Sequence, residues 1–357
     1  MGHRWRGHGL DGSAGTVAGD RVADALDDTL LLGFQGSRQA GPEQAIGVRT
    51  ARIGRMAVRH AIGPDGPLVS MWSVRGAPHT HRVNRLDMVR DALTPRDSDD
   101  GGPSFVNAVA EVAEALTAAV RAPTSKGDAS RAVADAVSAS LVHWCERCGA
   151  RHVEDELFRA AGRQAQIVLG PEKQRATMLY PRPDHEQDAV DEPRAGFLKA
   201  YFRVNGPTTR TAYRDWLGAG TDSVREVWEG LGPMQRVTVE RRRLELPEEL
   251  VEDLRAAQAP QGVVLVPPHD PYLRQVDRTL LVPDFRRRQQ VWKALSGPGA
   301  VLVEGEVTGT WRYRRSDGQI SVSPFDTVPA PVRRAVERAA GVIAESVGAR
   351  EPAVVWF

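Results

Sequence analysis

A repeated order of elements constrains this chain more than anything else in it. Short amphipathic helices are followed by a β-hairpin, three times over, before the pattern changes near residue 261. In the first repeat Val22, Leu26 and Leu30 fall at helical spacing, and Pro42 suits the first turn of a further helix. Leu68 to Val83 then reads as strand, turn and strand, the turn at Gly76-Ala77-Pro78. In the second, Val109, Val112, Leu116 and Val120 mark one helix, and Val133 and Val137 another that begins near Asp128 or Ser130. Leu141 to Val153 reads as a hairpin turning at Arg147-Cys148-Gly149. In the third, Phe197, Leu198, Tyr201 and Phe202 share a helix face. Tyr213, Trp216 and Leu217 share the next, and Val224, Val227, Trp228 and Leu231 a third. Thr208 caps the second of these, and Thr221 or Ser223 caps the third, Ser223 having Glu226 at capping-box spacing.

Two helices joined by a tight Gly turn and followed by a hairpin make a helix-turn-helix with a wing. The expected fold class is α+β: three tandem winged-helix units over 1–100, 101–190 and 191–260, then a β-rich unit over 261–357. Boundaries fall at the polar run Asp97 to Pro103 and the Pro/Asp-rich stretch 181–194. The last unit holds a strand at Val263 to Val266 and a meander over Ala300 to Glu304, Glu306 to Arg315 and Gln319 to Ser323. A helix from Pro331 to Val347 closes it.

Composition narrows the function classes. With 41% hydrophobic and 26% charged residues, 357 residues suffice for several packed cores. No run reaches the roughly 18 apolar residues of a membrane span. Arg4 and Arg6 are followed by no apolar segment of the signal-peptide kind. Two cysteines argue against a disulfide scaffold, so the cytoplasm, in association with the nucleoid, is the expected location. A net charge of +1 leaves nucleic acid open, because binding needs a local basic face. Such clusters occur at Arg241-Arg242-Arg243, Arg286-Arg287-Arg288, and Arg312 with Arg314 and Arg315. The first hairpin carries Arg75, His79, His81 and Arg82 at and beyond its tip, where a wing presses on phosphates or enters the minor groove. Charge runs are also commonly solvated surface. His143, Cys145, Cys148 and His152 have zinc-type spacing, yet plain hairpin residues account for them too, and no metal ligand or cofactor is assigned. Asp270, Tyr272, Asp277 and Arg278 read as a buried polar network.

Three stretches resemble the AlkZ-like DNA glycosylases in order and spacing across nearly the whole chain. Gly33-Phe34-Gln35-Gly36-Ser37 stands where that family has a Gly-Leu-Gln-x-Gln run. Met71-Trp72-Ser73-Val74-Arg75-Gly76-Ala77-Pro78-His79 is similar to its Trp-x-x-Arg-Gly-x-x-His wing. Leu265 to Tyr272, Asp277-Arg278 and Gly309-Thr310-Trp311-Arg312 resemble its C-terminal pattern. The resemblance implies tandem winged helices that hold double-stranded DNA, and hydrolysis of the N-glycosidic bond of alkylated or crosslinked bases. It places Gln35 and Ser37 as the water-positioning pair. By the basic hairpins that carry them, Arg75, His79, His81, Arg82, Arg241, Arg242 and Arg243 are the candidate DNA contacts, and Arg312 is either core or part of the DNA-facing surface. Position 37 departs from the pattern, being Ser where the family has Gln or Asp, with Gln39 two residues on. That leaves a non-catalytic DNA-binding regulator or damage sensor of the same fold as the alternative.

Overall fold

The computed structural model describes the chain apart from residues 13–25, 37–40, 51–57, 59, 175, 276, 294–295, 315 and 348–351. Val22, Ser37, Gln39 and Arg315 therefore lie outside the described residues. Helices and strands are mixed throughout, as an α+β chain requires. Two compact units form, neither continuous in sequence. The first gathers Met1–His60, Ala200–Ala212 and Gly232–Phe357, and the second Ala61–Lys199 and Tyr213–Leu231.

The first unit is built on a sheet of five strands. Val263–Val266, Gly299–Val303, Glu306–Arg314 and Gln319–Pro324 form the expected antiparallel meander. A strand at Ala353–Trp356, not anticipated from the sequence, pairs parallel with Gln319–Pro324 after the helix Ala330–Val347. Side chains alternate across the pleat. Leu265, Val301, Trp311, Ile320 and Val322 meet Val336, Ala340 and Ile343 of that helix. Val266, Ala300, Leu302 and Val307 meet Trp5, Tyr272, Leu273, Leu281 and Val291. Both sheet faces are thus buried. Trp311 donates its indole N–H to the Val266 carbonyl at 2.9 Å. A side chain at Gly299 would place its Cβ 2.4 Å from the Trp311 ring, so the strand can pass only as glycine. The hairpin Met234–Val239 and Arg242–Pro247 lies in this unit too, with Glu245 exchanging backbone hydrogen bonds with Thr208 at 2.7 and 3.0 Å.

The second unit has its strands in the order Pro78–Arg82, Leu68–Trp72, Ile167–Lys173, Ala176–Pro181, Thr124–Ser125, antiparallel throughout. The hairpin expected at 68–83 is present. Residues 155–181 hold more than the sequence suggested: a helix at Asp155–Gln164 and the longest hairpin of the unit. The short hairpin His143–Cys145 and Ala150–His152 stands between the helices Lys126–Ala136 and Asp155–Gln164, not after them. Val109, Val112 and Leu116 of the helix Gly102–Ala119 pack with Ala129, Val133, Leu157, Phe158 and Trp72 in one core. Trp72 meets Phe158 edge to face at 5.7 Å, and Gly162 leaves room for the Trp72 ring, where a Cβ would come within 2.2 Å.

Three caps differ from expectation. Ser125 caps the helix Lys126–Ala136, accepting from the Asp128 N–H at 3.1 Å, so the helix starts earlier than Asp128. Ser223 is buried inside the helix Thr221–Glu229, where its hydroxyl accepts from Arg194, and the N-cap is Gly220. Thr209 rather than Thr208 accepts from the Ala212 N–H, at 3.1 Å.

The first unit also buries polar side chains. His8 is 1% exposed and shares a hydrogen bond with Asn205 Oδ1 at 2.9 Å. Burial first, and then the nearby Arg49 cation, holds its imidazole well below the ordinary 6.5. Above that value both folded and unfolded chains keep it neutral. Below it, only the unfolded chain takes up the proton, so stability falls as pH falls, by about 1.4 kcal/mol per pH unit. Urea denaturation of the wild type from pH 7 to 5 should show this slope, and His8→Gln should show a shallower one over the same window.

Candidate functional site

The candidate catalytic residue sits at the end of a short, well-anchored strand. The helix Asp27–Leu32 ends at Gly33, whose φ of 89° turns the chain into the strand Phe34–Gln35. A side chain disfavours that backbone, which is why glycine precedes Phe34. Phe34 is 0% exposed, and the guanidinium of Arg49 stacks over its ring, 5.1 Å from the centroid. Arg49 follows the helix Pro42–Gly47. It donates to both carboxylate oxygens of Asp270 at 2.8 Å, and to the backbone carbonyls of Ala45 and His8 at 2.6 Å. Both side chains of this pair are 0% exposed. Asp270 also accepts from the Tyr272 N–H at 2.9 Å, and the Tyr272 hydroxyl donates to the Gly305 carbonyl at 3.0 Å.

Gln35 itself is half-buried, and its Oε1 is buried with no hydrogen-bond partner among the described residues. An unmet buried acceptor costs about 1–3 kcal/mol. Gln35 therefore presents a carbonyl oxygen ready to accept from a water or a ligand.

The basic residues separate into groups. Arg241 and Arg243 are exposed on one face of their hairpin, while Arg242 faces the other way with buried Leu244 and Leu246 and donates to Thr279. Arg312 is exposed and donates to the Ser296 carbonyl at 2.7 Å. Arg75 occupies the turn after Leu68–Trp72 with φ 55°, and its guanidinium donates to the Trp216 carbonyl. Arg82 is half-buried and donates to Asn84 Oδ1 at 3.2 Å. His79 and His81 are 5% and 0% exposed. They share one face of the strand, and that face points inward. Arg287 is paired with Asp326, and Arg314 with Asp317.

Within the second unit, Arg75, Arg159, Arg163, Arg194, Asp99 and Phe105 help to line a cavity of about 580 Å³. Burial lowers the Arg163 guanidinium to about 10. Nε of Arg163, Nε of Arg194, Oγ of Ser73 and Oδ1 of Asp99, all on lining residues, have no partner among the described residues. The cavity is polar, cationic in part, and supplied with unmet donors and acceptors.

The family model described as "DNA glycosylase AlkZ-like" matches residues 29–345. The chain belongs to the AlkZ-like DNA glycosylase family. Among solved structures, it is similar to the DNA glycosylase AlkZ of Streptomyces sahachiroi, with a TM-score of 0.74, 21% identity, and coverage of 99% of each chain. No curated protein matches.

In this AlkZ-like chain, two of the three motif stretches meet physically: Phe34 and Asp270 share Arg49. Of the buried network expected at Asp270, Tyr272, Asp277 and Arg278, only Asp270 and Tyr272 are buried and bonded to each other, while Asp277 is half-buried and Arg278 exposed, each with a partner that spacing did not disclose. Asp270 takes Arg49, and Asp277 takes Arg4, at 2.7 Å. Arg278 stacks on Trp292, its guanidinium carbon 5.2 Å from the ring centroid. Arg4 and Arg49 carried no local signal, because nothing near them in sequence marks a basic residue for burial. Arg163, on the helix missed at 155–164, was invisible for the same reason.

Arg49→Met should cost about 3–5 kcal/mol, because it leaves the Asp270 carboxylate buried and alone. Urea midpoints at unchanged slope will measure this. The double variant Arg49→Met/Asp270→Leu should lose much less than the two single losses added together.

Proposed function

We propose that the protein hydrolyses the N-glycosidic bond of alkylated or crosslinked bases in double-stranded DNA, with Gln35 orienting the attacking water. The observation that carries this is the buried Oε1 of Gln35, without a hydrogen-bond partner among the described residues, in a chain of this family. An alkylated purine already bears positive charge. When its C1′–N bond breaks, the bonding pair returns to the base nitrogen and neutralises it, so the leaving group needs no acid. The water oxygen then bonds to C1′ and its proton passes to solvent. A neutral amide that accepts a hydrogen bond from this water suffices to aim it. Ser37 is proposed as the second polar member of the site.

The fold supports a matching account of binding. Helix Gly102–Ala119, strand Thr124–Ser125, helices Lys126–Ala136 and Asp155–Gln164, and hairpin Ile167–Pro181 follow one another as the parts of a winged helix do, which fits a unit over 101–190. In this reading the wing is Ile167–Pro181, and His143–His152 is an insertion between the second and third helices. The order Pro193–Asn205, Arg210–Leu217, Thr221–Glu229 and hairpin Met234–Pro247 fits a second unit over 191–260. The 1–100 segment is proposed as the third, with Leu68–Arg82 as its wing. Exposed Arg241, Arg243 and Arg312 are proposed to contact phosphates, and Arg75, Arg82 and Arg242 to brace the surfaces around them. His79 and His81 join the DNA side only in a conformation that uncovers them.

One observation favours a second reading. With Ser at position 37, the paired polar groups of the family's run are reduced to one amide and one short hydroxyl. A DNA-binding sensor without hydrolysis would have this sequence.

Base release from duplex DNA carrying 7-methylguanine distinguishes the readings. The wild type should release the base, and Gln35→Ala should lose about a hundredfold or more in rate while shifting the same duplex in a gel. Binding without release of any methylated or crosslinked base would establish the sensor reading instead. Separately, Arg241→Ala and Arg243→Ala should each lower the slope of log affinity against log salt by about 1. An unchanged slope would remove that residue from the phosphate contacts.

A further inference from the structure

The short hairpin between the helices Lys126–Ala136 and Asp155–Gln164 has little to hold it by ordinary means. Its strands are three residues each, His143–Cys145 and Ala150–His152. None of these residues is fully buried, and Trp144 is 57% exposed. A two-stranded hairpin of this size is at best marginal in water. Small ordered pieces without a core are commonly held by a cross-link or a metal.

Both cysteines of the chain lie here, as Cys145-Glu146-Arg147-Cys148-Gly149. Backbone N–H groups of Cys148 and Gly149 donate to the Cys145 carbonyl at 3.1 and 2.9 Å, and Gly149 turns with φ 60°. The turn brings the second cysteine back over the first. His152 lies opposite His143 in the register, and His143 and Cys145 are two apart on one strand. His143, Cys145 and His152 therefore project from one face of the hairpin, and the turn adds Cys148 to it.

We propose that Cys145, Cys148 and His152 bind a structural zinc ion. Their ligand atoms all lie within 4.8 Å of one another. Tetrahedral zinc, with bonds of about 2.3 Å to sulfur and 2.0 Å to nitrogen, holds its ligand atoms roughly 3.5–4 Å apart, so the set needs to contract by at most about 1.3 Å. The imidazole is already set for the task. Nδ1 of His152 donates to the Val153 carbonyl at 2.6 Å, which fixes the ring and its tautomer. Its Nε2 is buried without a hydrogen-bond partner among the described residues, and is the atom left for a metal. Zinc entry displaces the two thiol protons to solvent. His143, on the same hairpin face, supplies a fourth donor once its ring turns from Glu154, now 3.6 Å away.

The ion would close the hairpin on itself just before the helix Asp155–Gln164, which carries Arg159 and Arg163 to the cavity of the second unit. Its place is structural and independent of hydrolysis at Gln35.

The test is metal content of the full chain, purified under reducing conditions from zinc-supplemented cells. One zinc per chain is expected for the wild type, and loss to background for Cys148→Ser and for His152→Ala. The wild type, stripped by a chelator and given cobalt alone, should develop the visible and thiolate charge-transfer absorption of a tetrahedral site. This second reading holds even if the variants fail to fold. Protein that carries no zinc, and takes up neither zinc nor cobalt after full reduction, overturns the proposal. So does zinc retained in full by folded Cys148→Ser, or a Cys145–Cys148 disulfide that yields no metal-binding site when reduced.

Discussion

A guanidinium and a carboxylate, both removed from water, meet inside the first unit, and the candidate site depends on them. Isolating either charge in the interior costs several kcal/mol, and the pair is tolerable only because its hydrogen bonds are nearly all met. Arg49 serves Asp270, two backbone carbonyls and the face of Phe34 at once. It thereby joins the segments around residues 8, 34, 45 and 270, which are far apart in sequence. A guanidinium suits this role better than an ammonium, because its planar fork spans a carboxylate and its face stacks on a ring. The position of Gln35 follows from that of Phe34, and so from a salt bridge that touches no substrate.

The same economy governs the remaining arginines. Most make internal contacts: Arg4 with Asp277, Arg203 with Asp28, Arg194 with Ser223 and the Thr94 carbonyl. For cations left outward, such as Arg241 and Arg243, local placement rather than total charge gives them their effect.

The sequence disclosed elements whose pattern is local. The meander after residue 261 could be read because its strands are short, apolar and separated by Gly turns at Glu304-Gly305 and Asp317-Gly318. The hairpin at 68–83 was legible for the same reason. The helix Asp155–Gln164 and the strands after it were not, since the nearer hairpin at 143–152 already fits a wing by its local pattern. The closing strand Ala353–Trp356 pairs through a helical crossover, and such a partner has no local signature. At the site, Gln35 was found through a motif, while Arg49 was not, because a buried arginine is defined by what surrounds it. Periodicity places His79 and His81 on one strand face but does not say that this face is inward, and both are buried.

One regularity links these cases. In each motif stretch a buried aromatic lies within a few residues of a polar group with something to do. Phe34 precedes Gln35, Trp72 precedes Arg75, Trp311 precedes Arg312, and Tyr272 follows Asp270. The aromatics are 0–3% exposed and fixed by specific contacts: Arg49 over Phe34, Phe158 against Trp72, the Val266 carbonyl on Trp311, the Gly305 carbonyl on Tyr272. A large ring in a close-packed core has essentially one place to go. The backbone beside it is then held as firmly as the ring. A weakly interacting group such as a neutral amide can orient a water only if it does not drift, and this arrangement supplies that rigidity from the core rather than from the site itself.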